Sequence, residues 1–105
     1  MPLTKSFHEY LIQSLKDPVE AAAYLEVAIE DGDLDFLLVA IRDVVEAQGG
    51  MSRLAKKSKL NRGNLYKMLS KKGNPNIFNV DSVLKALGLR LAVVADQKTG
   101  LKKAA

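Results

Sequence analysis

Between Gly50 and Lys72 the chain reads GMSRLAKKSKLNRGNLYKMLSKK, and its polar residues suit one kind of chemistry. An arginine guanidinium matches guanine O6 and N7 with two hydrogen bonds, and an asparagine carboxamide does the same for adenine N6 and N7. Lysines carry no such pattern and serve instead against phosphates, which position without specifying. Arg62, Asn64, Tyr66 and Lys67 are accordingly the candidate base-reading residues. Ser52, Arg53, Lys56, Lys57, Asn61, Lys71 and Lys72 are the candidate phosphate ligands.

Such a set works only if helices hold it outward. Met51–Ser58 reads as a helix with Leu54 and Ala55 inward, and its first N–H groups, around Met51 and Ser52, are open to a phosphate. Lys59-Leu60-Asn61 is the turn, with Leu60 filling the angle and Asn61 as N-cap of a second helix, Arg62–Lys72. Leu65, Met68 and Leu69 face inward. A small residue followed by apolar ones five, ten and thirteen positions later is the spacing of a helix-turn-helix. Lys59 stands where that turn normally has Gly and is expected to bear left-handed strain. Gly63 either permits close approach to a groove or is neutral.

The elements around this pair are helical. Ser6–Lys16 has Phe7, Tyr10, Leu11 and Leu15 on one face. Asp17-Pro18 is an N-cap followed by proline at the first helical position, opening a helix over Pro18–Glu30. Asp33 caps the next, whose stripe Leu34, Leu37, Leu38, Ile41, Val44 and Val45 is core, and Gly49-Gly50 ends it. Gly73-Asn74-Pro75-Asn76 is a turn cluster. Asn79 is expected to cap a helix carrying Val80, Val83, Leu84 and Leu87, with Gly88 as its left-handed terminus. Leu89–Ala95 then reads as a strand. It either folds onto its own domain or pairs with its copy in a second subunit, which puts Leu89, Leu91 and Val93 at a dimer interface. Residues 1–96 thus form one domain, divided into an acidic helical half (1–50), the helix pair with its following helix (51–88) and the strand (89–95). Residues 97–105 are a basic tail.

Charge divides along the same line. In residues 1–50 three bases stand against ten acids; in residues 51–105 thirteen bases stand against two. The halves are read as suiting different partners, or as solvated helix faces. The chain has no cysteine and one histidine, His8, which removes disulfides, thiolate chemistry and a histidine metal cluster. With no phosphate loop and no acid–base pair, an enzyme is not expected, and neither is a cofactor or metal. No apolar run is long enough to cross a membrane, so a cytoplasmic protein is expected.

The segments DPVEAAAYLEVAIEDGD and RLAKKSKLNRGNLYKMLSKKGNPNIFNVDSVLKALGLRL resemble the probable addiction-module antitoxins, a HigA-like family with an Xre/lambda-repressor-type helix-turn-helix. The specific parts are AAAYL with its acidic turn, LYKMLS, GNP and KALGLRL. That family's recognition helix usually opens Ser-Arg-Glu-Ala-Leu-Tyr. Here Asn61-Arg62-Gly63-Asn64-Leu65-Tyr66 keeps the Arg and the Leu-Tyr and changes three positions. The resemblance implies a mainly α, lambda-repressor-like bundle with N-terminal helices and a short C-terminal strand. It also implies a small repressor of its own operon that neutralises a RelE-like toxin, which is typically basic. Binding of operator DNA as a homodimer is expected because helix-turn-helix proteins usually read two half-sites. The alternatives are a stand-alone Xre-type regulator with no toxin, or a toxin-binding protein with weak DNA contacts.

Overall fold

The computed structural model describes residues 2–70 and 73–96, with side chains from Phe7 onward. Among these described residues six helices follow one another: α1 (Pro2–Ser14), α2 (Pro18–Asp31), α3 (Leu34–Ala47), α4 (Met51–Ser58), α5 (Arg62–Met68) and α6 (Ile77–Ala86).

The first boundaries are set by side chains of the expected types. Asp17 accepts the Val19 N–H at 2.9 Å and Pro18 occupies the first helical position. At the other end of α2, Gly32 adopts φ +81°, a left-handed conformation that closes the helix tightly enough for α3 to start two residues later. Asp33 caps α3 through the N–H groups of Asp35 and Phe36. Asn61 Oδ1 accepts the Asn64 N–H at 2.7 Å to open α5.

Leu15, Leu25, Leu38, Ile41, Val44, Leu54, Leu65, Leu69, Val83 and Leu84 all lie in one buried cluster, so both charge halves share a core. The stripe of α3 is its centre: Leu38, Ile41 and Val44 are at most 1% exposed. Burying each such side chain is worth about 1.5–3 kcal/mol, and this packing holds helices as short as α4 and α5, which would be marginal alone.

The structure corrects the sequence expectations in several places. Phe7 and Tyr10 do not face inward but are 67% and 74% exposed; α1 docks through Leu11, Ile12 and Leu15 instead. α5 stops at Met68, short of Lys72, because its last carbonyls are taken by other donors. The Arg42 guanidinium on α3 donates to the Leu69 carbonyl, and Ser70 Oγ donates to the Lys67 carbonyl at 2.8 Å. Gly73 then packs onto the end of the helix so tightly that a Cβ would lie 2.0 Å from the Met68 oxygen. α6 begins at Ile77, not after Asn79. Its cap is Asn76, whose Oδ1 accepts the Asn79 N–H at 2.8 Å. A three-residue shift follows from two asparagines of equal capping ability at that spacing.

The fourth correction is the C-terminal segment. Gly88, at φ +82°, ends α6 as expected, with the Leu89 N–H returning to the Leu84 carbonyl at 2.8 Å. Beyond it Leu89–Ala95 forms no strand, and Arg90–Ala95 make no backbone hydrogen bond to the described residues. The composition favours β structure, but a strand needs a neighbour and the described residues supply none. The tail at 97–105 lies outside the described residues.

Candidate nucleic-acid interface

α4 and α5 are joined by three residues, and the backbone there shows the anticipated strain. Lys59 has φ +63° and is the single non-glycine residue with positive φ among those described. The left-handed region costs an ordinary side chain roughly 1 kcal/mol, which the turn sustains through its neighbours. The Leu60 N–H donates to Ser58 Oγ at 3.2 Å and the Leu60 side chain packs on the core.

On α5, Leu65 and Met68 point into the core while Arg62, Gly63, Asn64, Tyr66 and Lys67 are all exposed. At 100° per residue Gly63 lies near the middle of that outward face. A Cβ added there would meet only Asn61 Oδ1, at 3.4 Å, so no packing demand requires glycine.

Two unlike flanks lie on either side of it. On one, Arg62 places its guanidinium 5.6 Å from the centroid of the Tyr66 ring and donates to the Tyr66 hydroxyl at 3.5 Å. A cation over an aromatic face one helical turn away is held in a narrow range of rotamers. On the other flank Asn64 and Lys67 line a shallow hollow with Asn74, Asn76 and Asn79. Asn74 and Asn79 are not among the contact residues the sequence predicts. The signal was the run GNPNIFN, whose asparagines read only as turn and cap formers. With Asn76 acting as the cap, the half-buried Asn79 lines the same hollow as Asn64 and Lys67.

Of the phosphate candidates, Ser52, Arg53, Lys56, Lys57 and Asn61 are all exposed. The N-cap of α4 is Gly50, which brings no side chain to the helix start, so its first N–H groups remain open. Lys71 and Lys72 lie outside the described residues. Leu89 packs against the core, whereas Leu91 is 36% and Val93 99% exposed, so the interface candidates divide into one docked residue and two that are not.

The acidic half is built differently. The Tyr24 hydroxyl donates to Asp43 Oδ2 at 2.7 Å, tying α2 to α3. Burial, then the hydrogen bond and charge of Asp43, push the Tyr24 phenol well above its usual range. His8 is an exposed residue 3.3 Å from Glu46, an ion pair when the imidazole is protonated. Among the described residues no group of acids and histidines is placed to hold a metal, and no helix is long and apolar enough to cross a membrane.

Comparison with known proteins adds a family to this geometry. A family model described as a probable addiction module antidote protein matches residues 5–95. A Haemophilus influenzae protein (strain ATCC 51907 / DSM 11121 / KW20 / Rd), described as uncharacterized, is 33% identical over 81 residues, which is 77% of this chain and 82% of its own. No solved structure matches the chain.

Proposed function

The chain belongs to the probable addiction module antidote protein family, and from that membership we propose that it is a non-enzymatic antitoxin that also represses transcription by binding operator DNA as a homodimer. The observation that carries the DNA reading is the outward face of α5, where a guanidinium, a carboxamide, a phenol and a lysine stand exposed behind a capped helix start. In the helix-turn-helix reading, α5 is the recognition helix in the major groove and α4 lies across the backbone. Arg62 and Asn64 read bases, Tyr66 and Lys67 contribute less, and Arg53, Lys56, Lys57 and the start of α4 hold phosphates.

A dimer supplies what Leu89–Ala95 lacks. Val93 and Val94 are 99% and 84% exposed, an apolar edge that a second copy of the same segment would cover by pairing with it. Two subunits would then read two half-sites. The toxin in this reading is basic and RelE-like, and it meets the acidic half.

Binding to DNA from upstream of the chain's own gene, titrated across salt concentration, tests the proposal. With about four to six phosphates neutralised per subunit, log K falls against log[salt] by roughly 0.9 per contact. Lys56→Ala with Lys57→Ala flattens that slope and weakens binding to all sequences alike. An unchanged slope would remove α4 from the DNA backbone.

A further inference from the structure

We propose that the flank of the α2–α3 hairpin around Val27, Phe36 and Val39 is the docking face for a basic protein partner. This rests on the antidote reading above and adds the surface through which the antidote would act.

The Tyr24–Asp43 hydrogen bond fixes which sides of the two helices adjoin. The short link at Gly32-Asp33 sends α3 back along α2. Val27 therefore lies one turn beyond Tyr24, next to Val39 and Phe36, which lie one and two turns before Asp43. Val27, Phe36 and Val39 are 61%, 38% and 40% exposed. Single exposed apolar residues are ordinary; a group contributed by two helices and rimmed by charge marks an interaction site.

The rim is of one sign. Helical spacing puts Glu20 and Asp31 on the same side of α2 as Tyr24, and Asp35 one turn from Val39. None of the three pairs with a cation among the described residues. From Asp17 to Ile41 the chain has seven acids and no Lys or Arg, so nothing local neutralises them. An apolar centre within a polar rim is the anatomy of a protein interface. The charge selects the partner, because nucleic acid would be repelled and a two-fold copy would set carboxylate against carboxylate. A basic protein with an apolar protrusion fits.

The test is binding kinetics against the purified toxin from which the chain protects cells. Phe36→Ala should raise Kd by about tenfold or more, chiefly through faster dissociation, as for an anchor at the centre of an interface. Asp31→Asn with Asp35→Asn should slow association by roughly threefold or more at low salt, with the difference vanishing at high salt. Both aspartates are exposed, so this second variant keeps its fold if the first does not. Wild-type kinetics in both variants would overturn the surface while leaving the antidote reading intact. Failure of the unaltered chain to bind the toxin would instead sink that reading. A change in sedimentation on Phe36→Ala would overturn the proposal in favour of a second copy as occupant.

Discussion

The two charge halves solve the problem of making a helix pair in opposite ways. α2 and α3, with 14 residues each, follow local rules throughout: aspartate caps at both starts, proline at the first position of α2 and glycine in the left-handed position between them. α4 and α5, with 8 and 7 residues, break those rules in three places. The cap before α4 has no side chain, the turn has a lysine at φ +63°, and a glycine stands in the first turn of α5, in the middle of its outward face. Departures of this kind gather where function competes with stability. The acidic pair is bounded by its own local signals, whereas the basic pair depends on the shared core, where α4 packs against α6 and α3.

Replacing Gly73 by alanine gives the largest effect expected from that comparison. The new methyl would press on the Met68 carbonyl at 2.0 Å, where only backbone could yield. Loss of roughly 2–3 kcal/mol in denaturant unfolding is expected. A loss under ~0.5 kcal/mol would show that the end of α5 does not depend on this contact.

Gly63→Ala separates stability from binding within the basic pair. The site has room and lies inside a helix, so the variant should gain about 0.5–1 kcal/mol. If glycine is there for close approach to DNA, the more stable protein binds its operator less tightly. Equal or better binding would make Gly63 a neutral residue.

In the acidic pair, Tyr24→Phe should cost about 0.5–1 kcal/mol near neutral pH through loss of the bond to Asp43. The phenol's pKa is raised on folding, so its contribution is fully present below the unfolded value of about 10 and is lost as pH rises through the folded one. The unaltered protein should therefore lose stability above pH ~10 with a slope that the phenylalanine variant lacks. Identical alkaline slopes would show that Tyr24 is not the residue responsible.

What could be read in advance follows the same division. Asp17, Pro18, Asp33, Gly88 and the α3 stripe from Leu37 to Val45 act through neighbours a few residues away, and the structure places them as the spacing indicates. Leu34, expected in that stripe, is instead 43% exposed at the first position of α3, outside the core. Asn76 and Asn79 were locally ambiguous, since either can cap and only packing chooses. The early end of α5 depends on Arg42, 27 residues distant, which no local pattern reveals. Phe7 and Tyr10 share the helical period of Leu11, yet only tertiary packing decides which part of an apolar arc is covered. Leu89–Ala95 has the composition of a strand, but a strand needs a neighbour, which the described residues do not supply. At the candidate site, the exposed residues of α5 were legible from period alone. The pairing of Arg62 with Tyr66 and the addition of Asn74 and Asn79 were not.

The central claim is that the first turn of α5 reads sequence while the lysines around it supply affinity. It is tested most directly by titrating the Arg62→Ala protein against its operator and against scrambled DNA at one fixed salt concentration. The side chain is exposed and lies over the Tyr66 ring on the outward face of α5, so the fold is retained. The account predicts a loss of about 1–3 kcal/mol on the operator and much less on scrambled DNA. Equal losses on both would make Arg62 a phosphate clamp and contradict the assignment of specificity to this turn.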